Sequence, residues 1–207
     1  MSAAVPYQSE NLDLRMVTRG CIQLGLLTAA LVAAFGFAMQ YLGGMAELIV
    51  CGIILVAGAV AVSTLPGLWT RARGIDGIAT AAGIGLGAAI VFLIPDVAIL
   101  RPIGVYTNRW DEIGGFSNWW HHPVWWMLGS FSAWMGAAVL AAQTKRNGAP
   151  SVPGFAVQLV VVAAIVMVAA VFLHVPGASW GLGTFGVSLI AALGISGLIA
   201  TVQLNRG

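Results

Sequence analysis

The chain has three histidines, His121, His122 and His174, and its carboxylates include Glu47, Asp96, Asp111 and Glu112. Imidazole nitrogen with carboxylate oxygen is a donor set that zinc, copper or iron accepts, so these residues define a candidate metal site. Their spacing argues against it. Adjacent histidines on a regular helix point about 100° apart, and no HxxxH or ExxH pair puts two ligands on one helix face. Haem or a pigment such as chlorophyll needs less, one axial histidine or two from different helices at similar depth, and His122 and His174 meet that requirement. Asp96, within FLIPDVAIL, is a candidate for proton or ion transfer, because a carboxylate in an apolar run is rare and is functional by default. Glu47 is the second such carboxylate. The packing alternative for Asp96 is an ion pair with Arg101 or Arg109.

Two of the histidines fall in SNWWHHPVWWMLG, residues 117–129, between pairs of tryptophans. Tryptophan concentrates where membrane meets water, ring inward and N–H outward. Trp110, Trp119, Trp120, Trp125 and Trp126 therefore read as interface anchors. Pro123 suits the first turn of a helix, where a missing N–H costs nothing, and His122 just before it helps cover the exposed helix end. Trp134 is deeper and reads as core. Anchoring, and not ligation, is the favoured reading of this stretch.

The elements that position these residues follow from composition. Of 207 residues, 59% are hydrophobic and 8% charged, with a mean hydropathy of +0.94, whereas about a quarter of a soluble domain is charged. The chain reads as an all-α integral membrane protein. A net charge of +2 without a basic cluster excludes a nucleic-acid partner. Crossing the hydrocarbon takes about 20 mainly apolar residues, and six runs qualify: Gly20–Leu42, Ala46–Leu65, Gly77–Leu100, Pro123–Gln143, Gly154–Val175 and Leu182–Leu204. None has an ionisable residue in its middle. Gly43-Gly44, Pro66-Gly67, Arg101-Pro102, Asn147-Gly148 and Pro176-Gly177 separate them. Residues 101–122 form the one long loop, which is expected to lie flat at the interface. Cys21 and Cys51 sit near opposite ends of their spans, too far apart in depth for a disulfide.

Orientation follows from the basic residues, which short loops hold on the cytoplasmic side. Seven of the nine, Arg15, Arg19, Arg71, Arg73, Lys145, Arg146 and Arg206, share one side with both termini. The expectation is a single domain of six spans, N-in and C-in, in a bacterial inner membrane, with every histidine on the outer side. The first twenty residues lack the apolar core of a cleaved signal peptide, so the first span is expected to stay.

Small residues recur every four positions: Gly77-Ala81-Gly85-Ala89, Gly129-Ala133-Ala137-Ala141 and Ser188-Ala192-Ser196-Ala200. Such stripes let helices approach closely where lipid removes the hydrophobic drive between them. No phosphate loop and no nucleophile with its base marks an enzyme. A transporter would carry polar residues or broken helices near the midplane, and Asp96 is the one residue that argues for it. The expected function is therefore a non-catalytic accessory or scaffold subunit of a larger membrane complex, of the energy-converting respiratory or photosynthetic kind. It would pack against other transmembrane subunits, pigments and bound lipid. The alternatives are a small-solute or proton-coupled transporter using Asp96 and a metal- or haem-binding protein using the histidines.

Overall fold

The computed structural model describes residues 13–106 and 121–205, which form helices and, among the described residues, no strand. The helices are α1 (Leu14–Tyr41), α2 (Gly44–Trp69), α3 (Ile75–Pro95), α4 (His121–Asn147), α5 (Val152–Phe172) and α6 (Leu182–Asn205). A π-helical turn, Asp96–Leu100, extends α3. All six are long and apolar enough to cross a membrane.

Several helix ends differ from the hydropathy-derived spans, because local hydrogen bonds set them. α1 begins six residues before Gly20, where the Asp13 carboxylate accepts the Arg15 N–H at 3.0 Å and so satisfies one of the orphan donors of the first turn. α2 does not stop at Leu65. Pro66 has no N–H to give, yet it sits close enough to the end for the helix to run on to Trp69. α5 opens on the Ser151 hydroxyl, which accepts the Gly154 N–H at 3.1 Å. It ends at Phe172, three residues short of the expected Val175.

Side-chain contacts fix how the helices run. Gln40 at the end of α1 reaches the turn after α3, Trp125 at the start of α4 packs on Phe92 of α3, and Lys145 at the end of α4 donates to the Leu204 carbonyl of α6. The bundle thus has a loop end, holding residues 96–106, and a terminal end, where α1 starts and α6 finishes.

α4 is the hub. It packs against α2, α3 and α6, while α1 packs on α3 and α2, and α5 chiefly on α6. It is also the least apolar of the six and the most buried. A helix surrounded by protein on most sides does not need a fully apolar surface. Glycine brings it into contact. A Cβ on Gly85 would enter the Gly129 carbonyl, and one on Gly129 would lie 2.7 Å from the Gly85 oxygen, so α3 and α4 cross backbone against backbone. A Cβ on Gly136 would likewise enter the Ser63 carbonyl of α2. Ala81, Ala89, Ala133 and Ala137 are buried around these crossings. Gly77 lies near the terminal end, its missing Cβ 3.0 Å from the Ala72 Cα. On α6, Gly197 faces Met135, with Ser188, Ala192, Ser196 and Ala200 buried along the same stripe.

Candidate functional site: the buried carboxylate at the loop end

Pro95 interrupts the hydrogen-bond ladder of α3, and the chain responds with a wider turn in which the Arg101 N–H reaches back five residues to the Asp96 carbonyl at 3.0 Å. The chain then reverses. Gly104, at φ +71°, takes the left-handed conformation that favours glycine. The Gly104 N–H bonds the Arg101 carbonyl and the Val105 N–H bonds the Leu100 carbonyl, both at 3.0 Å, closing the helix end. Val105 folds back into an apolar layer with Phe35, Met39, Phe92 and Leu100. Gly36 of α1 makes room for it, since a Cβ there would lie 2.8 Å from the Val105 carbonyl. The Gln40 side-chain amide donates to the Gly104 and Val105 carbonyls at 2.6 and 3.1 Å.

This reversal encloses Asp96, which is 0% exposed. Its Oδ2 accepts from Arg101 Nε at 3.1 Å, and its Oδ1 accepts a hydrogen bond from the Tyr106 hydroxyl. The Arg101 guanidinium also lies 5.9 Å from the Tyr106 ring centroid, within cation–π range. Each acid oxygen therefore has a donor, and the three residues form a clasp across the loop end. One turn back along α3 is Phe92, fully buried among apolar neighbours, so the clasp stands on an apolar floor.

Burial, and secondarily the bond to Asp96, pushes the Tyr106 phenol well above its ordinary value of 10.0, with Arg101 opposing. It stays a neutral donor. Because the folded value is the higher one, the stabilisation is full below pH 10 and fades above it, as the phenol of the unfolded chain ionises and that of the folded chain does not. Between about pH 10 and 11, unfolding measurements should show stability falling more steeply in the wild type than in Tyr106→Phe; parallel slopes would contradict this placement.

The other candidates are dispersed. Glu47 is buried in the first turn of α2, where a carboxylate faces the positive end of the helix dipole. His174 is exposed and ends α5: it holds φ +53°, its N–H bonds the Val171 carbonyl, and Val175 N–H bonds the Ala170 carbonyl. A position that suits glycine is here a histidine. His174→Gly should therefore stabilise the protein by about 0.5–1 kcal/mol, read as a raised unfolding midpoint in detergent; an unchanged or lower midpoint would count against it. His121 and His122 begin α4, but their side chains lie outside the described residues. α4 and α5 do not form a major packed pair, and both pack on α6. No group of three or more His, Cys, Asp or Glu is placed to hold a metal among the described residues.

Of the tryptophans, Trp110, Trp119 and Trp120 lie outside the described residues. Trp125 is half-buried, its ring 5.4 Å from that of Phe92, and Trp126 is exposed. Trp134 is 48% exposed, contrary to its expected core position. It shares a face with Met127, turned away from the glycine and alanine positions that meet α2 and α3.

Tyr106 and Gln40 are the site residues that sequence reasoning did not assemble. Ten residues separate Tyr106 from Asp96 and 64 separate Gln40 from Gly104, and no helical period links either pair. Comparisons with protein-family models, curated proteins and solved structures each found no match for this chain.

Proposed function

We propose that a chain whose hub helix is locked by backbone contacts serves as a non-catalytic, multi-pass subunit of a larger membrane complex, with both termini cytoplasmic and the loop end outside. What supports this is the packing of α4, pressed against α2 at Ser63–Gly136 and against α3 at Gly85–Gly129. A solute pathway running between these helices would have to part them, whereas a scaffold gains from holding them shut. The clasp fits the same role, since both oxygens of Asp96 hold the chain reversal in place. α5 is left with Val157, Val161, Ile165, Val168 and Phe172 exposed, an apolar face available to another transmembrane chain.

Purification from native membranes in mild detergent, with mass spectrometry of the recovered chains, tests the proposal. Other multi-pass proteins in fixed stoichiometry are expected, with respiratory or photosynthetic assemblies the first kind to look for. A chain that runs alone would sink the reading. Cysteine labelling at Gly148 and Gly177, the turn glycines between α4 and α5 and between α5 and α6, tests orientation: the second should react from outside intact cells and the first should not.

A further inference from the structure

Val152 and Ala156 of α5 and Phe185 of α6 line, with α2, an open apolar groove of about 820 Å³ along α2. The groove extends from Leu48 to Leu68, about 30 Å at 1.5 Å per residue. An extended alkyl chain can lie along such an apolar face, its carbons in contact with the lining side chains at about 4 Å. Ala57 and Ala61 keep the floor low, and nothing lies within 4 Å of where a Cβ of Gly52 would be.

Charge sits where the groove ends. The Arg71 N–H bonds the Leu68 carbonyl at 3.2 Å, so Arg71 lies on the turn directly beyond the last groove residue, held at φ +48°. Arg71 and Arg73 are exposed, and neither makes an ion pair among the described residues. Val152, the first residue of α5, lines the same end and adds the positive pole of that helix. Lys145 and Arg146, by contrast, already bond the Leu204 carbonyl and the Asn147 side chain.

We infer that the terminal half of this groove binds an anionic phospholipid, one acyl chain lying along α2 between Ala57 and Leu68 and the phosphate resting on Arg71 and Arg73. Guanidinium suits phosphate because its planar donors pair with two oxygens at once. The site does not depend on the proposed subunit role.

The test uses the full-length protein in detergent, stripped of lipid and titrated with phosphatidylglycerol or with phosphatidylcholine of the same chains, bound lipid being counted by native mass spectrometry. Phosphatidylglycerol should be retained about tenfold or more over phosphatidylcholine, as two arginines near a membrane surface would give. The double variant Arg71→Asn, Arg73→Gln should lose this preference; asparagine tolerates the left-handed backbone at position 71, so the turn survives. Ala61→Phe, which fills the groove from its floor outward, should reduce retention of both lipids while leaving the unfolding midpoint in place. Equal retention of the two lipids by the wild type, an intact preference in the double variant, or displacement of the lipid by inorganic phosphate at similar concentration would each overturn the inference.

Discussion

Asp96→Ala should destabilise the bundle by about 3 kcal/mol, measured by reversible unfolding in detergent. The substitution removes the acceptor of two donors at once. Arg101 loses its 3.1 Å partner, and the Tyr106 hydroxyl loses its acceptor. Breaking a buried ion pair from one side costs about 3–5 kcal/mol, because the remaining charge keeps its desolvation penalty. Arg101 is 32% exposed and regains some water, which places the expectation at the lower end. Asp96→Asn keeps an oxygen for Tyr106 but loses the charge and turns an NH2 donor toward Arg101 Nε, so a cost of about half to nearly all of that is expected. The series also separates two roles for the carboxylate. A proton carrier would tolerate asparagine in folding and fail in transport, whereas a clasp loses stability in graded fashion. If the alanine variant unfolds at the wild-type midpoint, Asp96 is not holding the reversal.

Gly136→Val and Gly85→Val should each cost more than about 3 kcal/mol, the upper end for overpacking a well-filled interior. At both positions the obstruction is a backbone carbonyl on the facing helix, Ser63 for Gly136 and Gly129 for Gly85. Backbone cannot rotate aside as a side chain can, so the helices must part, and close contact is lost along the whole crossing. In lipid that contact is much of what drives association. Gly83→Ala and Gly52→Ala are the controls, since nothing lies within 4 Å of where either Cβ would go. The valine variants should lose the folded species on size-exclusion chromatography while both alanine controls keep it. A Gly136→Val protein with wild-type stability would show that α2 and α4 do not meet this closely.

How far this was legible in the sequence varied with the kind of force involved. Length and apolarity located all six helices, because both are properties of a segment by itself. Helix ends were less accurate, since Asp13 and Ser151 set theirs through hydrogen bonds that hydropathy does not register, and Pro66 near the end of α2 did not stop the helix. The small-residue stripes could be read on α3 and α4, but a stripe does not name its partner. Gly136 escaped notice because it lies one position out of register with Gly129, Ala133 and Ala137, on the face that meets α2. Trp134 was misplaced for a related reason: depth along a span does not tell which face a residue occupies. At the site, Arg101 was readable as a neighbour of Asp96 across a proline-loosened turn. Tyr106 was not, because its position depends on the reversal at Gly104.

The central place of α4 also governs how the protein is made. The ribosome completes α1, α2 and α3 first, and these already pack against one another. Until α4 arrives, the face of α3 around Gly85 and the face of α2 around Ser63 have no partner. From Leu100 to Asn147, at about 5–20 residues per second, that interval lasts about 2–10 s. A nascent chain that ends after α3 therefore has its closest future contacts bare, and the connection before α4 together with α4 itself sets how long it must wait.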